Sequence, residues 1–331
     1  MAAQDGLAAS EDIAGATAVA VSGKTEKCWH TAKEGDSVIL WGGYNQISGL
    51  VLRAGAIFNN RYGSFHHDDL IGQTFGLKVR PRKGGAWMAL LRSTPELITQ
   101  SLVHRTQIIY HADISLILTL LDVQPGKVIV EAGTGSGSLS SSFARALRPG
   151  GKLHTFEYHE ERQRQAAADF ERYGFQDVIL SKHGDVCSHG FVGVPDATAD
   201  GIFLDLPAPW QAIPHADRCL IDGGKVCTFS PCIEQIEKTA AELRRNDRYY
   251  DVRVFESLAM NWGVKEEPCP KRRQVAQGQR TTSGSLETAA EEPGSLPPPT
   301  SWLSYQMPMR SHTSYVLIAT KPPCDEPKAV V

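Results

Sequence analysis

No apolar run in this sequence approaches the roughly 18 residues that a membrane span needs, so no transmembrane segment is expected. There is no Cys-x-x-Cys pair. The seven cysteines, Cys28, Cys187, Cys219, Cys227, Cys232, Cys269 and Cys324, are odd in number and scattered. That pattern points to free thiols in a reducing compartment and away from a disulfide framework or a zinc site, so no metal is expected. Positive charge is not in excess either: 34 Lys and Arg face 37 Asp and Glu, for a net charge of −3. The chain as a whole therefore lacks the electrostatic footprint of an independent nucleic-acid binder. If RNA is its substrate, a local basic face or a partner must supply the affinity. Met1–Ser22 lacks a basic n-region and an apolar h-region, and its Asp5, Glu11 and Asp12 are foreign to a mitochondrial transit peptide. A disordered tail is expected over residues 1–32.

What is present is ordinary for a globular protein: 331 residues, 41% hydrophobic and 21% charged, enough for about two domains and a large core. The stretch that organises the chain is Val128-Ile-Val-Glu-Ala-Gly-Thr-Gly-Ser-Gly-Ser-Leu139. Val128–Val130 reads as a buried parallel strand, and Ser138–Leu147 as a helix with Leu139, Phe143 and Leu147 on one face. Strand, glycine loop and helix make a nucleotide-binding turn, in which the glycines let the backbone pass close to a ligand and the helix end offers unpaired N–H groups. A dinucleotide favours G-x-G-x-x-G. Here the third glycine comes early, at Gly133-x-Gly135-x-Gly137, and Glu131 at the strand end would repel a pyrophosphate while suiting an ammonium group. S-adenosylmethionine (SAM) is favoured, with a dinucleotide as the rival.

Residues 33–93 read as a small β-rich domain, barrel or sandwich, with strands at Ser37–Trp41, Ile47–Arg53 and Trp87–Leu91. Arg61–His67 reads as a polar loop. Its basic and aromatic groups, with those of Lys78–Lys83, suit either a polynucleotide or a solvated surface. Pro95–Leu102 reads as a short helix. Asp113 is placed to cap the next, whose Ile114, Ile117, Leu118 and Leu121 repeat at helical spacing. Lys152–Phe156 is the second strand of the larger domain, with Glu157 at its end able to accept ribose hydroxyls of either ligand. Glu161–Tyr173 is a helix, and Val178–Lys182 is a strand. Asp185 beyond it could accept from an adenine amino group or cap a turn.

Ile202–Leu204 is a strand ending in Asp205-Leu-Pro-Ala-Pro-Trp210. This resembles the Asp/Asn-Pro-Pro-aromatic motif of amino-group and ring-nitrogen methyltransferases, where a carboxylate accepts from an exocyclic amine and an aromatic ring stacks on a base. Lys225–Phe229 is a fifth strand. Ser230-Pro-Cys232 opens a helix through Ile233, Ile236, Ala240 and Leu243, and Asp251–Ser257 is a sixth strand. Glu266–Thr300 has six prolines and no aromatic residue, as in a disordered insertion. Lys271-Arg-Arg273 within it is a nuclear-import candidate, or a solvated charge run. Thr313–Lys321 closes the sheet as its seventh strand. Two final strands without a helix between them favour a SAM methyltransferase sheet over a dehydrogenase. An NAD-dependent oxidoreductase, a catalytically silent RNA-binding scaffold, and a methyltransferase acting on another RNA, a protein or a small molecule are the competing functions.

The chain resembles the catalytic, SAM-binding subunits of eukaryotic tRNA (adenine-58-N1)-methyltransferases. The resemblance runs from about Lys33 to Lys265 and resumes at Ser311–Lys321. It rests on Glu34-Gly-Asp36, Asp69-Leu-Ile-Gly72, Thr94-Pro-Glu-Leu97, His104-Arg-Thr-Gln107, Glu131–Gly137, Leu153–Glu157, Phe203-Leu-Asp205, Phe229–Gln235 and His312-Thr313. It implies an α/β, class I SAM-dependent methyltransferase fold over residues 94–265 plus 301–322: a Rossmann-like seven-stranded sheet with its last strand antiparallel, beside a small N-terminal β-barrel-like domain. It implies that Asp205 is the catalytic carboxylate. Ile109, Gly133, Gly135, Ser136, Gly137, Ser138, Ser141, Glu157, Arg162, Asp185 and Val186 would hold SAM. Gln107, Tyr110, His111, Leu204, Leu206, Pro207, Thr228, Ser230, Pro231, Gln235 and Thr313 would face the target nucleotide. Gly42–Tyr44 and the Asn60–His67 region would meet tRNA. The implied product is N1-methyladenosine at position 58 of the T-loop, with adenines in T-loop-like mRNA structures as a further expected substrate. The implied partners are tRNA and a related non-catalytic RNA-binding subunit, in a heterotetramer of two heterodimers, and the implied location is the nucleus. Ala132 and Ala208 stand where relatives carry serine, Ala86 is an insertion, the Arg61–His67 loop matches poorly, and residues 1–32, 266–300 and 323–331 lie outside the resemblance.

Overall fold

The computed structural model describes residues 30–43, 46–102, 105–245, 248–258, 262–266, 301–305 and 314–323. The chain divides after Arg92 into two compact units. Expectations for the N-terminal tail, the 267–300 part of the insertion, Tyr44, His104 and Thr313 lie outside the described residues.

Among its described residues the N-terminal unit holds six short strands: β1 (Ser37–Gly43), β2 (Gln46–Val51), β3 (Ile57–Asn60), β4 (Gly63–His66), β5 (Lys78–Val79) and β6 (Met88–Arg92). They form a four-stranded antiparallel sheet in the order β2-β1-β6-β5 and a separate β3–β4 hairpin. Alternation puts Val38 and Leu40 of β1, Leu90 of β6 and Phe65 of β4 into one core. The expected polar loop at Arg61–His67 is therefore corrected: Gly63–His66 is a strand, and Phe65 and His67 are buried. The His67 Nδ1 accepts from the Arg53 N–H at 3.0 Å, so this ring is structural. A single inward aromatic between polar neighbours gives too little alternation to be read as a strand.

The larger unit opens with α1 (Pro95–Ser101) and α2 (His111–Leu120). Thr94 accepts from the Leu97 N–H at the start of α1, with Pro95 in the first turn, where its missing N–H costs nothing. The α2 helix begins at His111, not at a cap formed by Asp113; Asp113 sits buried in the first turn, where a carboxylate suits the positive end of the helix. Strands and helices then alternate: β7 (Val128–Ala132), α3 (Ser138–Leu147), β8 (Lys152–Glu157), α4 (Glu160–Arg172), β9 (Ile179–His183), α5 (Val186–His189), β10 (Ala199–Leu204), α6 (Pro209–Cys219), β11 (Leu220–Ser230), α7 (Ile233–Arg244) and β12 (Tyr250–Glu256). A two-stranded hairpin of β13 (Trp262–Glu266) and β14 (Ser301–Tyr305) precedes β15 (Tyr315–Thr320). That hairpin flanks the Pro-rich segment and has no counterpart in the sequence reading. Along α7 the inward positions are Ile236, Thr239 and Leu243, while Ile233 at its start is half exposed.

One seven-stranded sheet runs in the order β12-β15-β11-β10-β7-β8-β9. Strands β7 to β11 are parallel, and β15 is antiparallel to both of its neighbours. This is the expected class I methyltransferase sheet, with the last strand inserted beside the sixth. One face packs on α1 to α4, where Phe143 of α3 meets Phe203 of β10 edge-to-face at 6.2 Å. The other face packs on α5 to α7. Strand order reverses between β7 and β10, which opens a crevice at their carboxyl ends where α/β sheets bind ligands. No helix among the described residues is long and apolar enough to cross a membrane.

Candidate functional site

A cavity of about 360 Å³ occupies that crevice. Its floor is the glycine loop between β7 and α3. Each glycine there is fitted to another part of the protein. All three have positive φ, which a side chain rarely tolerates. A Cβ on Gly133 would lie 2.3 Å from the Asp205 carbonyl oxygen, one on Gly135 2.8 Å from the Thr106 hydroxyl, and one on Gly137 2.7 Å from the Phe170 ring. The sequence reading assigned these glycines to close approach by a ligand; in the structure they admit the end of β10, the segment before α2, and α4.

Glu157 ends β8 and is 2% exposed. Its Oε2 accepts from the Gly135 N–H at 2.9 Å, and its Oε1 accepts from the His159 N–H at 3.1 Å and from Arg162 at 2.6 Å. Burial works against the charge, but the His159 N–H, the Arg162 guanidinium and the Gly135 N–H outweigh it, and the carboxyl stays below its ordinary range. Glu131, inside β7, is 1% exposed and accepts from Ser140 Oγ at 2.5 Å. Burial pushes it up to about 7, against its bonds to Ser140 and Thr155. Asp205 follows β10, tied by its N–H to the Ala132 carbonyl at 2.9 Å. Burial and the nearby Glu157 charge push its carboxyl up to about 7. Asp185 caps the one-turn α5, accepting from the N–H groups of Cys187 and Ser188 and from Ser188 Oγ at 2.7 Å. The Ser188 hydroxyl is the largest cause of its lowered pKa. It is the expected turn cap, and it also stands on the cavity wall.

Of the residues expected to hold the cofactor, Ile109, Gly133, Gly135, Ser136, Ser138, Glu157, Arg162, Asp185 and Val186 line this one cavity. Gly137 and Ser141 do not: Gly137 packs on Phe170, and the Ser141 hydroxyl donates to the Gly137 carbonyl inside α3. Of the substrate-facing set, Gln107, Leu206 and Pro207 line the cavity together with Asp205. Tyr110 is exposed beside it at the start of α2, where His111 follows, and Pro231 is exposed after β11. Leu204 is core. Thr228 and Ser230 are fully buried, and their hydroxyls find no partner among the described residues. Gln235 donates from Nε2 to the Pro207 carbonyl at 2.9 Å. Trp210 does not line the cavity; it lies in the first turn of α6 under the Lys238 ammonium, and Ala208 holds the aromatic position of the motif. Thr106, Tyr158, His159 and Cys187 also line the cavity and were not singled out from sequence. Thr106, Tyr158 and His159 stand in connections, which carry no periodic signal, and Cys187 lies in the one-turn α5, too short to show one.

The donor set decides between ligands. Glu131, Glu157, Asp185 and Asp205 all face the cavity, and its single arginine, Arg162, is paired with Glu157. The Gly135 N–H, which a pyrophosphate would need, already serves Glu157. Such a wall fits a cationic ligand with a nucleoside portion and disfavours a dinucleotide.

Comparison with known proteins agrees with this chemistry. A family model described as the tRNA methyltransferase complex GCD14 subunit matches residues 86–321. A Candida albicans protein called tRNA (adenine(58)-N(1))-methyltransferase catalytic subunit is 35% identical over 328 residues, covering 88% of this chain and 96% of its own. A solved SAM-dependent O-methyltransferase from Thermotoga maritima has a TM-score of 0.68 at 25% identity, covering 91% of this chain and 98% of its own. The solved tRNA (m1A58) methyltransferase from Aquifex aeolicus has a TM-score of 0.61 at 21% identity, over 88% and 98% of the two chains, a likeness of fold.

Proposed function

The chain belongs to the tRNA methyltransferase complex GCD14 subunit family, and from that membership we propose that it is the catalytic subunit of a tRNA (adenine-58-N1)-methyltransferase. It transfers the methyl group of SAM to N1 of adenine 58 in the T-loop of tRNA. The observation that carries this is the position of Asp205, whose half-buried carboxyl follows β10 on the wall of an acidic, nucleoside-sized cavity.

SAM supplies an electrophilic methyl group carried on a sulfonium. Glu157 and Arg162 would hold the ribose end of its site, Asp185 and Val186 the adenine end, and the loop around Gly135 the amino-acid end. Neutral adenine carries the N1 lone pair in the plane of the base, so it accepts a methyl group without prior deprotonation, and the product ring is cationic. Asp205 accepts from the N6 amine and stabilises the charge that develops on the ring. Leu206 and Pro207, with Pro207 held by Gln235, fix the loop against which the base is aligned. N1 lies on the pairing edge, so the nucleotide must be unpaired and turned out of its stack.

The net charge of −3 agrees with RNA affinity being shared with a partner. The partner proposed is a related non-catalytic RNA-binding subunit, in an assembly of two heterodimers working in the nucleus. T-loop-like structures in mRNA are proposed as secondary substrates. The test is methyl transfer from labelled SAM to unmodified tRNA, with and without that subunit, and identification of the product nucleoside by mass. N1-methyladenosine at position 58 is the expected product. Methyl transfer to another position, or none from a complex that binds SAM, would overturn the assignment.

A further inference from the structure

Ser136 and Ser138 were expected to contact the cofactor, yet their hydroxyls turn toward one segment of the protein. Ser136 Oγ accepts from the Arg105 N–H at 3.0 Å and the Thr106 N–H at 3.3 Å, and lies 3.3 Å from Thr106 Oγ1. Ser138 Oγ donates to the Ile109 carbonyl at 3.1 Å and is 2.9 Å from Thr99 Oγ1 of α1. The segment between these two pins, Thr106–Ile109, is one wall of the cavity. It has no regular secondary structure to hold it. The residue just before it is fastened a second time: Arg105 Nη1 pairs with Asp169 Oδ2 at 2.7 Å, with the two side chains only 15% and 22% exposed. Arg105 Nη2 also donates to the Ser136 carbonyl, at 3.4 Å. Asp169 lies on α4 next to Phe170, whose ring packs on Gly137 at the other end of the glycine loop. Asp169 itself does not line the cavity.

We propose that the Arg105–Asp169 pair is a positioning device that straps the Thr106–Ile109 wall to the glycine loop and thereby sets the affinity for SAM. The proposal rests on the reading that this cavity holds SAM. The pair is largely shielded from solvent, so it is screened less than a surface ion pair and holds one geometry. Displacing a positioned wall by about 1 Å can cost on the order of 100-fold in function. The wall it holds carries Ile109 of the cofactor set and Gln107 of the nucleotide-facing set, while Asp205 and the Leu206–Pro207 loop stay in place without it, so a moderate rise in KM for tRNA can accompany the loss of SAM affinity. Its loss is therefore read in KM for SAM and hardly in turnover.

The test uses the full chain, with its partner subunit where turnover requires it. Affinity for SAM is measured by calorimetry, and KM and kcat by methyl transfer, for the wild type, Asp169→Asn, Arg105→Lys, Arg105→Ala and the double variant Arg105→Ala/Asp169→Asn. The expected result for Asp169→Asn and Arg105→Ala is a weakening for SAM of roughly tenfold, with kcat at saturating SAM within about twofold of wild type. The double variant should be no weaker than either single one, because the two residues act as one contact. Arg105→Lys, which keeps the charge and loses the fork, should fall between wild type and Arg105→Ala. Unchanged SAM affinity in Asp169→Asn, or a kcat loss at unchanged KM, overturns the strap while leaving the cofactor assignment intact. Failure of the wild type to bind SAM overturns both. Should Arg105→Ala lower the melting temperature steeply, the intermediate affinity of Arg105→Lys still decides the matter.

Discussion

Gly133 and Asp205 meet backbone to backbone at the carboxyl ends of β7 and β10. The Asp205 N–H donates to the Ala132 carbonyl at 2.9 Å, and a Cβ on Gly133 would stand 2.3 Å from the Asp205 carbonyl oxygen. The cofactor loop and the proposed catalytic loop are thus one packed unit. Gly133→Ala places a side chain at φ +98° and against backbone that has nowhere to move. The expected outcome is a clear drop in melting temperature together with loss of both SAM binding and turnover. SAM titration of the purified variant checks this; a variant that binds SAM normally would show that the two loops are independent.

Asp205 is raised to about 7 by burial and by Glu157. A carboxyl that must accept from the N6 amine works as the anion. Activity of the free enzyme should therefore climb as pH rises through about 7, and fall away below it as the carboxyl takes up its proton. Asp205→Asn, which keeps the shape and removes the anion, should lower kcat by roughly 100-fold or more and abolish that ascending limb. The profile of kcat/KM against pH for the wild type, with kcat for Asp205→Asn beside it, checks both. A full-rate Asp205→Asn enzyme would remove Asp205 from the mechanism.

The sheet was legible because its strands are short apolar runs between turns. The Val128 strand, the Ile202 strand and the final Ser314–Ala319 run each stand out by composition, and the sequence pattern of Asp251–Ser257 and Thr313–Lys321 as two final strands with no helical signal between them pointed to the inserted strand. Asp205 and Glu157 were legible because strand ends in such a sheet meet the ligand crevice. Which partner each group serves was not legible. The hydroxyls of Ser136 and Ser138 look like ligand donors in one dimension and turn out to hold a neighbouring segment. Arg105 and Asp169 are 64 residues apart, and no local pattern links them. Trp210 was read as a base-stacking ring, yet Pro209 begins α6 and carries the ring away from the cavity. The Gly63–His66 strand escaped because its inward face shows only Phe65 among polar neighbours.

Glu131 gives a stability prediction with a definite sign. Its ordinary value is 4.5 and its value in the fold is about 7, raised chiefly by burial. Between those two values the folded protein keeps a proton that the unfolded chain has lost. Its contribution to stability is present below about 4.5 and is lost as pH rises to about 7. Glu131→Gln keeps an oxygen to accept from Ser140 and has no charge to bury. It should melt higher than the wild type at pH 8 and show no advantage at pH 4.5. Thermal melts of both proteins across that range provide the check; equal melting temperatures at pH 8 would mean that Glu131 is an ordinary ionised carboxylate.

Gln235 is expected to affect one of the two substrates and not the other. Its Nε2 holds the Pro207 carbonyl at 2.9 Å, while its Oε1, like the hydroxyls of Thr228 and Ser230 on the neighbouring strand β11, is buried without a partner among the described residues. None of these three atoms lines the cavity, so the effect of Gln235 on the Asp205–Pro207 loop runs through its hold on the Pro207 carbonyl. Gln235→Ala releases Pro207 and removes one of the three, without touching Glu157, Asp185 or the glycine loop. Loss of a single hydrogen bond of about 1 kcal/mol corresponds to roughly a fivefold change in an equilibrium constant. KM for tRNA should rise by about that factor or more, and the calorimetric affinity for SAM should stay at the wild-type value. Methyl-transfer kinetics with each substrate varied in turn distinguish the outcomes. A change confined to SAM would place Gln235 on the cofactor side of the crevice and leave the target nucleotide to be positioned by Gln107, Leu206 and Pro207 alone.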